Sequence, residues 1–167
     1  MSLGEVWYAT IEAASWSGDG MAWYVRHRYW LAYLEKHPIA GDKRDASFLL
    51  VPGLADERHF SFRATNPGLE NQHLRNEGGR LKLQHHFEGD ELYEQDATFE
   101  MTPCLAIKDI GPGVSFRSHN HPDLFMRYKS VEQPPAPAEM WMEDFQEAGG
   151  QNYRMSFSFR LIPGLYH

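Results

Sequence analysis

Three stretches decide the fold: "DASFLLVPGLA" from Asp45, "DATFEMTPCLA" from Asp96 and "SFSFRLIPGLY" from Ser156. Phe48, Phe99 and Phe159 occupy one position of this pattern, and Pro52, Pro103 and Pro163 another. Self-similarity at intervals of this size marks a fold built from copies of one supersecondary unit. A second landmark precedes each stretch, reading "YVRHR" at Tyr24, "HLRNE" at His73 and "FMRYK" at Phe125, with Arg26, Arg75 and Arg127 in register. A third is clear in two copies, "FSFRATNPG" from Phe60 and "VSFRSHNHPD" from Val114. In the first copy "IEAASWSGDG" from Ile11 takes its place.

Between these landmarks the apolar residues alternate over strand-length runs: Phe60, Phe62 and Ala64; Leu81 and Leu83; Phe157, Phe159 and Leu161. Gly, Pro, Asn and Asp bound the runs, as expected of short strands joined by turns. Glu139 to Ala148 is read as a helical turn or two, and the proline-rich "QPPAPAE" from Gln133 as a surface loop. About four strands per unit in three copies predicts an all-β fold whose sheet closes on itself and so has no free edges. The expectation is a single β-trefoil domain with degenerate four-stranded repeats at about 9–56, 57–107 and 108–165.

Composition narrows the function. The chain has 167 residues, enough for one domain with a sizeable core, and a net charge of -7 without any Lys/Arg block. That excludes a phosphate-tracking surface, so no nucleic-acid partner is expected. There is no long apolar run, so no membrane span is expected either. Met1 to Glu5 lack a secretory leader's features, which reads as cytoplasmic unless a leader has been removed. Cys104 is the sole cysteine and reads as a small buried hydrophobe, with no disulfide framework. Aromatics make up 14% of the chain, suited to strand cores and to stacking on sugar rings.

The combination "SFRSHNHPDLFMRY" followed by a "DATF…P.LA" stretch resembles the arabinofuranose-binding module of α-L-arabinofuranosidases, over nearly the whole chain. The resemblance implies a β-trefoil that binds L-arabinofuranose side chains of plant polysaccharides without transforming them. It also implies a pocket in each repeat, built from a histidine after the arginine, the aspartate of the "DATF" segment and a nearby aromatic. By position, the first repeat supplies His27 and Asp45, with Tyr29 or Trp30 adjacent. The second keeps Asp96 but has Asn76 for the histidine, and the third has Tyr128 and Ser156 instead of both. Competence is therefore expected to fall from first to third. Independently of the resemblance, a carboxylate can accept from two adjacent sugar hydroxyls and a neutral imidazole can serve a third. The arginines are read as structural, because all three copies retain them while their neighbours vary.

Other chemistries fit less well. "HNH" at His119 and His121 suggests a metal, but its counterpart in "RATNPG" has no histidine, and no metal or other cofactor is assigned. A glycosidase needs two carboxylates across one sugar, whereas Asp45 and Asp96 belong to different repeats. The expected partner is an arabinofuranose-containing glycan, and the chain is expected to act as a monomer. The alternative is an interaction scaffold that has lost sugar binding, using the aromatics Trp16, Trp23, Tyr24, Tyr29, Trp30 and Tyr33.

Overall fold

The computed structural model describes residues 7–14, 21–106, 113–129 and 137–166. Trp16 and most of the proline-rich segment lie outside them, as does the end of the "IEAASWSGDG" stretch. The described chain is all-β, with antiparallel pairing and few helices.

Strands β1 (Trp7–Ala13), β2 (Trp23–Arg28), β3 (Leu31–Lys36) and β4 (Phe48–Pro52) come first. They are followed by β5 (Phe60–Ala64), β6 (Gln72–Glu77), β7 (Arg80–His85) and helix α1 (Glu91–Asp96). Next come β8 (Phe99–Pro103), β9 (Val114–Ser118), β10 (Leu124–Lys129) and β11 (Ala138–Asp144). Helix α2 (Gln151–Met155) and β12 (Phe159–Pro163) end the chain. A short 3-10 turn at Lys43–Ala46 precedes β4. The twelve strands form one sheet whose path returns on itself through the pairs β11–β7, β3–β7 and β10–β9.

The alternation in the sequence places the core. Phe48, Phe62, Phe99, Phe116 and Phe159 are buried, with the Phe62 ring 5.7 Å from Phe99 and 5.4 Å from Phe116. Ile11, Val25, Leu34, Leu74, Leu81, Met126 and Met140 complete the same cluster. Pro52, Pro103 and Pro163 each end a strand, where the missing N–H costs no ladder bond. After Pro52 only glycine fits, because a Cβ on Gly53 would lie 2.4 Å from Asp56 O and 2.7 Å from Thr98 Cγ2.

Buried hydroxyls tie the segments together in one recurring arrangement. Thr10 Oγ1 donates to Ala46 O, Ser61 Oγ to Ala97 O and Ser115 Oγ to Phe157 O, each at 2.7 Å. Each hydroxyl also accepts a backbone N–H, from Leu165, Leu54 and Leu105 respectively. Both capacities of each buried hydroxyl are thus used, which removes the cost of desolvating it. Thr10 therefore takes the serine's place in the first copy of the third landmark.

Two expectations change. Glu139–Asp144 is strand, not helix, because Met140 and Met142 recur with period two and both face the core. Cys104 is half-buried rather than buried, since it follows the end of β8.

Candidate functional site

Asp42 caps the short turn before β4 by accepting from Arg44 N at 2.9 Å, and the turn presents Asp45 toward β2. Arg26, almost wholly buried on β2, donates to Asp45 Oδ2 at 2.6 Å and to Glu35 Oε2 at 2.7 Å. The other oxygen of Asp45 accepts from Asn66 Nδ2 at 2.8 Å. Asn66 Oδ1 lies 3.0 Å from His27 Nε2. Because the asparagine nitrogen already donates to Asp45, its oxygen must accept, so His27 carries its proton on Nε2. Burial lowers the His27 pKa, against the opposing pull of Asn66 and Asp45, and the ring is neutral at physiological pH. The result is a chain of donors and acceptors, His27–Asn66–Asp45–Arg26. Each Asp45 oxygen has one described side-chain donor, so lone pairs remain for sugar hydroxyls.

With the surroundings of Asp45, Asp96 and Ser156 called the first, second and third lobe, the second repeats half of this arrangement. Asp96, the last residue of α1, pairs with Arg75 and accepts from Asn120 Nδ2 at 2.8 Å. Its carboxylate is more buried than that of Asp45, with side-chain exposures of 8% and 19%. Among the described residues no hydrogen bond joins Asn76 to Asp96. The Asn76 oxygen accepts from Gly79 N at 3.0 Å and holds the turn between β6 and β7.

In the third lobe the carboxylate is gone. Ser156 Oγ donates back to Tyr153 O, and Arg127 turns to Glu143 at 3.0 Å. The Arg127 guanidinium also lies 5.0 Å from the ring centres of both Tyr153 and Phe157. Tyr128 is buried against Phe159, and burial pushes its hydroxyl pKa up to about 12.

The aromatic neighbours fall elsewhere. Tyr29 sits at the tip of the β2–β3 hairpin, 80% exposed, with Arg28 over its ring. Among the described residues no hydrogen bond or ring contact joins it to His27 or Asp45. Trp30, 55% exposed, reaches across to the second lobe. There it lines a hollow of about 530 Å³ with Phe87, Gln72, Arg75, Asp90 and Tyr93. Buried atoms Gln72 Oε1 and Arg75 Nε have no hydrogen-bond partner. Of the remaining scaffold aromatics, Trp23 and Tyr24 are buried and Tyr33 is half-buried, so no continuous aromatic patch forms from them.

Sequence reasoning missed Asn66 and Asn120, which complete the two carboxylate clusters. The signal was present: both occupy the asparagine position of the third landmark, in "TNPG" and "HNHPD".

Residues 17–161 match the family model of the alpha-L-arabinofuranosidase B (ABFB) domain. The chain belongs to the AbfB domain family. This domain is the carbohydrate-binding module of arabinofuranosidases. Solved structures of similar fold include a GH54 α-L-arabinofuranosidase soaked with a cyclic sulfate inhibitor (TM-score 0.75, 19% identity). Another is an arabinofuranosidase complexed with arabinofuranosyl-α-1,2-xylobiose (TM-score 0.76, 19% identity). Each alignment covers 98% of the AbfB chain and 32% of the enzyme chain, so this chain spans about a third of those enzymes. The cytolethal distending toxin of Actinobacillus actinomycetemcomitans shares the fold at 14% identity and TM-score 0.66, covering 96% of this chain and 93% of the toxin chain. No curated protein sequence matches the chain. No described helix is long and apolar enough to cross a membrane.

Proposed function

We propose that this AbfB domain is a non-catalytic, monomeric module that binds L-arabinofuranose side chains of plant polysaccharides. Its fold is taken as a β-trefoil with repeats at about 9–56, 57–107 and 108–165. The three hydroxyl clamps at Thr10, Ser61 and Ser115, each made with the next segment in the same way, support that reading.

The observation that carries the function is the pairing of an arginine-held carboxylate with an asparagine donor in two lobes, Asp45 with Asn66 and Asp96 with Asn120. A carboxylate fixed in this way keeps its free lone pairs in place for vicinal hydroxyls, which reduces the entropy lost on binding. His27 makes the first site the richer one. In the second, Asp96 acts without the help assigned to Asn76 and beside the hollow between Trp30 and Phe87. Tyr29 serves as a flanking contact rather than as a pocket wall.

The carboxylates nearest to them share a guanidinium with them, Glu35 with Asp45 on Arg26 and Glu77 with Asp96 on Arg75, and a carboxylate neutralised in this way is poorly placed as a general acid or nucleophile, which favours binding over hydrolysis. A shallow site of this size gives dissociation constants on the order of 0.1 to 10 mM. Calorimetric or NMR titration with arabinofuranosyl oligosaccharides, with xylose and galactose as controls, tests the reading. Saturable binding limited to the arabinofuranosides, weakened about tenfold or more in Asp45→Asn, is expected. Equal binding of all three sugars, or full affinity in both Asp45→Asn and Asp96→Asn, overturns it.

A further inference from the structure

We infer that Asp56, His59 and His119 form a site for a divalent transition-metal ion, with zinc as the reference occupant. One ligand atom from each of these residues lies within 4.8 Å of the others. The sequence pairs His119 with His121, but the fold pairs it with a histidine from another strand connection.

Asp56 and His59 belong to one turn between β4 and β5. His59 N donates to Asp56 O at 3.0 Å, and Gly53 N donates to His59 O at 2.9 Å, so the backbone carrying both side chains is tied down. His119 follows β9, where its N–H donates to Thr98 O at 3.0 Å. The two imidazole rings meet with their centres 5.7 Å apart.

Arg58, 81% exposed, grips the Asp56 carboxylate from outside through Nε and Nη2 at 3.0 and 2.8 Å and so fixes its orientation. Asp56 itself is mostly shielded, with a side-chain exposure of 13%. His59 Nε2 stands 3.7 Å from Asp56 Oδ2, too far for a hydrogen bond. Among the described residues neither imidazole has a hydrogen-bond partner. Two imidazoles without hydrogen bonds thus converge on a carboxylate that Arg58 holds from the other side.

A common ion accounts for that spacing. Zinc bonds of about 2.0 to 2.2 Å in a tetrahedron place neighbouring ligand atoms about 3.3 to 3.5 Å apart, close to the gap between His59 and Asp56. Small side-chain rotations close the rest. Two nitrogens and one oxygen suit zinc, cobalt or nickel, whereas calcium and magnesium need oxygen ligands. Three protein ligands leave a fourth position for water. The ion ties the β4–β5 connection to the end of β9 and fixes His119 beside Asn120, the donor to Asp96. The site shares no residue with the proposed sugar contacts and does not depend on them.

The test is calorimetric titration of zinc chloride into the EDTA-treated full chain near neutral pH, repeated with cobalt. One ion per chain is expected, with tetrahedral cobalt absorption and a rise in melting temperature on adding zinc. His59→Ala and His119→Ala should each weaken binding at least about tenfold. The double variant should lose both the binding and the thermal shift, while its circular dichroism stays that of the wild type. Should either variant misfold, imidazole NMR shifts of His59 and His119 in the wild-type chain on zinc addition provide the same readout. Absence of saturation by about 100 μM zinc overturns the inference. So does undiminished binding in the double variant, or NMR shifts confined to other histidines such as His85 and His86.

Discussion

The first and third lobes place an arginine at the same point of the same hairpin and give it opposite surroundings. Arg26 is committed to carboxylates, Asp45 and Glu35, while Arg127 has one carboxylate, Glu143, and two aromatic faces. The second lobe sits between them: Arg75 keeps its aspartate and also lies 5.0 Å from the Tyr93 ring. The arginine is therefore the constant element of the scaffold, and its partners decide whether a lobe offers a fixed carboxylate to solvent. Beside Ser156, which offers no carboxylate, aromatic faces and Glu143 surround the arginine instead.

Removing the carboxylate from a lobe that has one should break this comparison most severely. Asp96→Ala leaves Arg75 with a guanidinium shielded from water and Asn120 without its acceptor, so a loss of about 3 kcal/mol or more is expected. Ser156→Ala removes one hydroxyl bond to Tyr153 O in a lobe already adapted to its absence, and should cost about 1 kcal/mol. Urea unfolding of the two variants measures the difference. Equal losses would show that Arg75 does not depend on Asp96.

Acid should separate the lobes next. His73 of the second lobe occupies the position of Tyr24 in the first and Phe125 in the third. Burial, aided by the nearby His86 and Arg63, lowers its pKa from 6.5 to about 4. A histidine depressed in the folded state is protonated first in the unfolded one, so its contribution is complete above pH 6.5 and lost as pH falls toward 4. The loss across that window is about 3 kcal/mol at most. His73→Phe, which installs the third lobe's residue, should flatten the acid limb of a plot of stability against pH. An unchanged limb would assign the acid sensitivity to other groups, His27 first among them.

Much of this was legible in the sequence, and what was missed has a physical reason. The phenylalanines and prolines gave strands, core and strand ends because burial and the missing proline N–H act locally. The absence of a carboxylate at the third position was legible too, since Ser156 stands where Asp45 and Asp96 stand in the other two stretches. The chemistry of Asn76 allows both a sugar contact and a turn, and the turn contact with Gly79 N is set by the tertiary path of the hairpin rather than by the residue type. Asn66 reaches Asp45 from the loop after β5, a contact set by the pairing of Phe48 with Ala64; the recurring asparagine marks the residue in the sequence but not its partner. Glu139–Asp144 misled because Trp141 and Phe145 stand four apart, as on one helix face, while Met140 and Met142 alternate as in a strand.

The smallest predicted effect compares two turns of one shape. Both the β2–β3 and β6–β7 hairpins close with two residues at positive φ: Tyr29 at 51° and Trp30 at 66° in the first, Gly78 at 63° and Gly79 at 88° in the second. This turn favours Asn-Gly or Gly-Gly, and bulky side chains there are strained. The first lobe tolerates the strain while holding two aromatic rings out in solvent, a pattern that accompanies binding surfaces. Replacing Tyr29 and Trp30 together by Asn and Gly should therefore stabilise the fold by about 1 kcal/mol, a rise of about 2 to 4 °C in melting temperature. The backbone bond from Leu83 N to Trp30 O survives the change, so the register of the two lobes is kept. If the aromatic pair flanks a glycan, the stabilised variant should bind arabinofuranosylated polysaccharide more weakly while its affinity for a single arabinofuranoside at Asp45 is unchanged. A variant that is more stable and binds both equally well would show that the strain in this turn serves no ligand.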